Sequence, residues 1–584
     1  MSPPRALPPS VERLLAEGRL TETPDTGGAF PRLEPTQLEM LEAHGERRRS
    51  RTGEVLIVEG EPDPAFYVVL DGTVAILEGY RTPEERVLRV HGHGRFLGEL
   101  GLLTGQPSYV TAVAAVAGEV FAVPVDQIRQ LVTKNHALGE EIMRAYLLRR
   151  SQAIGQEVGV RIIGSRFSSD TIRLREFASR NRLPHRFVDL ENDPGADRAL
   201  RRMAIGPRDT PLVVWGRRIL RNPSNADLAE LVGLRTPIEH AEAVCDLLVV
   251  GAGPAGLAAS VYGSSEGLRT VVLDAVATGG QAATTSMIEN YLGFPAGISG
   301  SELAERALIQ TRKFGARVQV PASATALHRA DGHYAVELGD GQAAARTVVL
   351  ATGARYRRLP VPRLEEFEEN SVFYAATQIE ARICHGDPVV VVGGGNSAGQ
   401  AALFLANHAR SVTMAVRERT LDEFMSRYLA DRILADPRIQ VLTHTEVREL
   451  CGQHGMLEAV EVEATETGER RTVPARELMV FIGATPCTSW LDDAVELDSG
   501  GYVRTGSSVT ELAAYAGLGR EPLPLETSAP GVFAAGDVRS GSVQRVAAAV
   551  GEGAMAIRLV HEHLSWIGAP AQTRPTRTQA PTVG

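Results

Sequence analysis

The chain has 584 residues, 43% of them hydrophobic, and a formal net charge of −10 at pH 7. That length asks for several domains, roughly four at about 150 residues each, and the acidic balance argues against a general nucleic-acid binder. Cys245, Cys384, Cys451 and Cys487 form neither a CxxC nor a zinc spacing, which argues against a disulfide framework and makes a reducing cytoplasm the expected compartment. The start, MSPPRALPPSVERLLAEGRL, has no apolar signal core, and every long apolar run is broken by glycine, so no membrane association is expected.

In chain order, residues 1–30 are rich in Pro, Gly and Thr and read as a flexible segment. Residues 31–156 open with short alternating runs punctuated by glycine, among them GEVLIVEG and AFYVVLDGTVAIL. Period-2 alternation of this kind predicts a β-roll, followed by one helical stretch, DQIRQLVTKNHALGEEIMRAYLLRRSQAI. Residues 157–238 alternate strand and helix, as in VGVRIIG, DTIRLREFASRN and HRFVDL, and predict a small α/β domain. From Cys245 a strand, glycine turn, helix and strand occur twice, in CDLLVVGAGPAGLAASVYG and in PVVVVGGGNSAGQAALFLANHA. Two such units suggest two Rossmann-like domains, one for each of two dinucleotides. The tail, residues 569–584, reads as disordered. The fold class is therefore a multidomain chain of β and α/β parts.

The first turn carries Gly251, Gly253 and Gly256, with Pro254 and Ala255 opening the helix. In G-x-G-x-x-G the glycines serve the tight turn, the approach of a pyrophosphate and close helix–strand packing, and the helix N-terminus faces the anion. Asp274 ends the next strand, placed for ribose hydroxyls. The second turn has Gly393, Gly395 and Ala398, with Asn396 and Ser397 between them. Its following strand runs into AVRER, giving Arg417 and Arg419 and no acid at the strand tip. Arginine binds a 2′-phosphate that an acid would repel, so NADPH is expected there; a solvated surface pair is the alternative. Asp537, in GVFAAGDV, ends another apolar strand and precedes a helix, a place for ribityl hydroxyls.

Five motifs, GAGPAG, TGGQAATTSMIENYLGFP, LATGA, GGGNSA and GVFAAGDV, make residues 245–565 resemble the thioredoxin reductase family of FAD enzymes. The resemblance implies an FAD domain at 244–360 and 482–568, an NADPH domain at 361–481 inserted within it, and a homodimer. It places FAD against Gly280, Gln281, Asn290, Thr352, Gly353, Gly536, Asp537, Gln544 and Arg545. It also implies a redox-active cysteine pair flanking Ala376-Thr377, where this chain has Ala375 and Gln378. Cys384 is the nearest thiol in sequence, either a structural residue or a charge-transfer or mixed-disulfide partner.

Residues 157–238 resemble glutaredoxin and thioredoxin folds, with Pro211 in the place of the cis-proline and Ser168 and Thr171 where the CxxC would stand. Hydroxyls there would cap the helix. Residues 33–155 resemble cyclic-nucleotide-binding domains: Gly98 and Glu99 match the phosphate-binding cassette, and Ser108 replaces its arginine. Either the pocket is degenerate, or it senses a cyclic nucleotide or other small ligand with another cation such as Arg95. The histidines of HGH (91–93) and HEH (561–563) lack a partnering cluster and read as surface or turn residues, so no metal is expected. The expected activity is that of an NADPH-dependent FAD oxidoreductase passing electrons to an external acceptor: a small redox protein, a quinone or a disulfide. The alternative is a flavin-based sensing protein with little turnover.

Overall fold

The computed structural model describes residues 6–568 except 194, 196–199, 201–204, 236–243, 286, 289, 369, 375, 377–379, 382, 383, 385 and 454. The expected disordered tail at 569–584 lies outside the described residues. The chain divides into two compact units, one of the first 239 residues with 275–277 and 318–322, the other of the remainder.

In the first unit the long strands Phe66–Glu78 and Thr111–Val123 pair antiparallel, flanked by Glu46–Ser50 and Arg86–His91. Register shifts around Asp71 and Thr73 bend both strands, and the sheet curls into a roll. Its core, with Phe66, Phe96 and Phe121, closes against Ile128, Leu138 and Ile142 of two helices, Val125–Lys134 and His136–Gly155. The sequence predicts one helical stretch here. The break falls at Asn135, whose extended backbone and side-chain bond from Leu138 N (2.9 Å) start the second helix as an N-cap. Residues 6–30 also differ from the flexible segment expected. They contain the helix Pro9–Ala16, and Val11 is fully buried against Ala75, Leu77 and Val113.

A second sheet in this unit has the order Arg218–Arg221, Leu212–Trp215, Val160–Gly164, His185–Asp189. Its central pairing is antiparallel to Leu212–Trp215 and parallel to His185–Asp189, with the helix Ser169–Arg180 linking the parallel pair. Ser168 caps that helix by accepting Thr171 N, whereas Thr171 is itself buried. The Thr210-Pro211 bond is cis. The sheet is joined to the roll: Trp215 lies against Tyr109 (centroids 5.3 Å apart), and Gln106 Nε2 donates to Val232 O at 3.2 Å.

In the second unit the strand Cys245–Val250 runs parallel to Thr270–Leu273 and Gly341–Leu350, and the latter runs parallel to Val532–Ala534. The strand is buried throughout, so it carries no alternation. A separate five-stranded parallel sheet has Glu477–Val480, Pro388–Val392 and Ser411–Ala415 at its centre. The two crossings of the chain between these sheets, Ala354–Tyr356 and Ala484–Pro486, pair antiparallel as a narrow ribbon.

The helix Val546–Trp566 closes the first of these sheets and is anchored by a buried ion pair. Glu526 is fully buried and bidentate to Arg520 (2.6 and 2.9 Å), with His563 Nδ1 at 3.3 Å. His563 and His91 of the HEH and HGH runs are buried, not surface residues. Burial opposes the charge on Glu526, but Arg520, His563 and the amides of Leu523 and Gly531 outweigh it and hold the carboxyl down at about 2. Its stabilisation is therefore present above the unfolded value of about 4.3 and is lost as pH falls toward 2. Glu526→Gln should flatten the acid limb of a pH–stability curve in that window. Arg520→Ala, leaving the carboxylate buried and unpaired, should cost about 3–5 kcal/mol at neutral pH in denaturant unfolding.

Candidate functional site

The first glycine turn is set by two backbone contacts. Gly251 has φ +106°, and a Cβ there would stand 2.2 Å from Ala351 O; one on Gly256 would stand 1.8 Å from Gly251 O. Neither position admits a side chain. Gly253 differs: a Cβ on it meets nothing nearer than Gly280 Cα at 3.9 Å. Its open side is the cradle into which a pyrophosphate fits, at the N-terminus of the helix Pro254–Ser265. Gly536 brings in the second helix, since a Cβ there would lie 2.9 Å from Ala255 Cβ and 3.6 Å from Ala549 Cβ. The first turns of the helices at Pro254 and Val546 therefore meet, with the positive ends of both dipoles at one place.

The other predicted residues fall unevenly around this cradle. Asp274 Oδ2 accepts the amide of Ala252 at 2.8 Å. Gln281 Nε2 donates to Ala354 O, and Thr352 Oγ1 to Cys487 O at 2.9 Å, while Gly353 O takes Cys487 N at 3.0 Å. Asp537 is half-buried, and its carboxyl is raised by burial and by Glu552, the charged neighbour it has in place of a cation. Hydroxyl donors such as those of a ribityl chain suit such an acid. Glu552 bridges Gly536 N (2.7 Å) and Arg539 (2.5 Å), a support the sequence reading missed. Asn290, Gln544 and Arg545 are exposed, and no contact among the described residues ties them to the turn.

The second turn repeats the plan. Gly393 has φ +133°, and a Cβ there would stand 2.2 Å from Phe481 O; Gly395 again opens on space, with Phe424 O at 4.0 Å. Ala398 is buried, Ser397 is exposed, and Asn396 Oδ1 accepts Ser426 N at 2.7 Å. Arg417 and Arg419 are exposed. The expectation of no acid at this tip needs correction: Glu418 turns inward, with 13% of its side chain exposed, and its Oε2 lies 2.7 Å from where Gly394 would carry a Cβ.

Ala375 and Gln378, at the family's cysteine positions, lie outside the described residues. Cys384 is fully buried in the core of the second parallel sheet among Val389, Val391 and Ala402. Burial first, then the carboxylates of Glu477, Glu380 and Asp387, push its thiol far up. A thiol so placed is not a nucleophile at neutral pH.

In the roll, Glu99 forms an ion pair with Arg149 (2.9 Å), and Gly98 (φ +91°) begins its short helix. Ser108 is buried, with Oγ donating to Val110 O at 3.0 Å. Arg95 cannot stand in as a spare cation, because it is buried, pairs with Glu22 at 2.8 Å and donates to Thr23 O.

Two glycine cradles, each at a strand–helix junction between parallel strands, define a flavin- and nicotinamide-binding oxidoreductase class. Comparison with known proteins makes this specific. Residues 245–553 match the pyridine nucleotide-disulphide oxidoreductase family, and the chain belongs to that family. Residues 47–135 match the cyclic nucleotide-binding domain. Thioredoxin reductase of Treponema pallidum is 35% identical over 53% of this chain and 94% of its own length. A 34.2 kDa protein in the rubredoxin operon of Clostridium pasteurianum is 30% identical over 55% of this chain and 97% of its own. The solved thioredoxin reductase of T. acidophilum superposes with a TM-score of 0.50 at 28% identity, covering 56% of this chain and all of that one. The chain is thus a thioredoxin reductase-like flavoprotein, and FAD and NADPH are the cofactors of that family.

The open side of Gly253 separates binding from folding. Gly253→Val should fill the cradle and yield a colourless protein with near-normal thermal unfolding of the flavin-free form. Gly256→Ala, forcing helix from strand, should lower stability itself by about 1–3 kcal/mol. Flavin absorbance and calorimetry on the two variants check the difference.

Proposed function

We propose that this chain is an NADPH-dependent FAD oxidoreductase of the family that delivers electrons to an external acceptor, a small redox protein, without an internal dithiol. One observation carries the reading: Cys384, the thiol nearest the family's redox pair, is sealed in the core beside carboxylates. The other cysteines do not replace it. Burial raises the thiols of Cys245 (to about 12), Cys451 and Cys487, and no two of the four lie in a CxxC. A single buried thiol has no partner with which to cycle.

FAD, when bound, supplies the capacity to take a hydride from a nicotinamide and to release electrons singly or in pairs. The chain's part is to hold the two dinucleotides: Gly251, Gly253, Gly256, Asp274 and Asp537 for FAD, and Gly393, Gly395 and Arg417 for NADPH. The relative encoded in a rubredoxin operon supports a small redox protein as acceptor. The strand order of the sheet of residues 160–221, with a helix linking its parallel pair, supports reading this part as a thioredoxin-like domain. With Ser168 capping its helix, it serves as an interaction module and not as a redox relay. The cyclic nucleotide-binding domain suggests a small-ligand partner. With Glu99 committed to Arg149 and no cation at Ser108, an ordinary cyclic nucleotide is expected to bind it weakly. A homodimer is the arrangement the family suggests.

Anaerobic titration should show flavin bleaching by NADPH. Steady-state assays should then show turnover with a one-electron protein acceptor and none above background with thioredoxin or dithionitrobenzoate. Cys384→Ser should leave all of these rates unchanged. Disulfide turnover that disappears in Cys384→Ser would overturn the reading and place that thiol in the active site.

A further inference from the structure

Both dinucleotide turns of this chain are closed by a carboxylate at the same point. In the first, Asp274 follows the strand Thr270–Leu273 and accepts the amide of Ala252, the middle residue of its G-x-G, at 2.8 Å. In the second, the middle residue is Gly394, and Glu418 follows the strand Ser411–Ala415. Glu418 Oε2 lies 2.7 Å from the Cβ position of Gly394, so this carboxylate too folds onto the turn. The neighbouring arginines do not displace it. Arg417, 73% exposed, gives Nη2 to Glu418 Oε1 at 3.2 Å, and Arg419 is exposed with its amide on Glu423.

An acid at this point of a Rossmann turn accepts hydrogen bonds from the adenosine ribose, and its charge opposes a 2′-phosphate. Asp274 stands where the FAD ribose, which has a free 2′-hydroxyl, is received. Glu418, three residues past the end of its strand, brings a carboxylate to the corresponding residue of the nicotinamide turn, while Arg417, one residue earlier and exposed, remains within reach of a phosphate.

We propose that Glu418 is a specificity-determining residue that receives the 2′-hydroxyl of the adenosine ribose, so that this chain takes NADH as well as NADPH. Arg417 is shared between Glu418 and an incoming 2′-phosphate, and the two side chains together set the ratio. The proposal rests on the nicotinamide-site reading given above, and the test separates the two.

The FAD-loaded full chain is titrated calorimetrically with 5′-AMP and with adenosine 2′,5′-bisphosphate, fragments that carry no nicotinamide and cannot turn over. The unmodified chain should bind the two within about tenfold of each other. Glu418→Gln, isosteric and uncharged, should shift the ratio toward the bisphosphate by roughly tenfold or more, and Arg417→Ala should weaken the bisphosphate alone. Flavin absorbance in each variant reports that the protein is folded, and Arg417→Ala, at an exposed position, keeps the test available should Glu418→Gln lose its flavin. A preference above about 100-fold for the bisphosphate in the unmodified chain, or a ratio unmoved by Glu418→Gln, overturns the proposal while leaving the site intact. Failure of both fragments to bind removes the nicotinamide-site reading and the proposal with it.

Discussion

The second unit is organised around the approach of two backbone segments at the end of the strand Cys245–Val250. Gly256 lies so close to the carbonyl of Gly251 that no Cβ fits between them. That contact pulls the helix Pro254–Ser265 onto the sheet and turns its free amides outward past Gly253. Because the helix is held there, Ala255 meets Gly536, and the final helix is drawn to the same edge. A phosphate site follows from packing alone, before any charged side chain is considered. The second turn reaches the same result with a looser contact, where Ala398 is tolerated in the third glycine's place.

Much of this was legible in the sequence, because these requirements are local. A glycine needed for positive φ or close approach must be glycine, and it sits at a fixed offset from a buried apolar run. Hence Gly251, Gly253, Gly256, Gly393 and Gly395 were found, and with them the parallel strands that flank both turns. What escaped depends on where the chain turns after an element ends. The strand Ser411–Ala415 stops early, so the side chain that reaches the turn is Glu418, and the alternating arginines of AVRER concealed it. Asn135 was hidden in the same way, since a cap is read from backbone geometry and its residues also occur within helices. Arg95 was misread because its partner, Glu22, lies in a segment whose composition suggested no structure.

Carboxylates recur as the controlling groups of the chain, in opposite ways. Around Cys384 they reinforce burial and keep a thiol protonated. At Glu526 a carboxylate is itself held charged in the interior, because Arg520, His563 and two amides bond to it. At Asp537 no cation is provided, and burial raises the acid instead. The contrast separates two environments: Glu526 is satisfied by the protein, whereas Asp537 faces burial and Glu552 without compensation among the described residues.

The ribbon of Ala354–Tyr356 and Ala484–Pro486 has a bearing on how such a chain arises. Because its strands are adjacent, everything between them begins and ends at nearly one point in space. A segment with that property enters a host loop without stretching it, and closing the loop costs little more for a long insert than for a short one. The region between the two strands is therefore a graft in the horticultural sense, joined at one narrow cut. Exchange of that graft for another would leave the glycine turn at Gly251, Gly253 and Gly256, which lies wholly outside it, as it is.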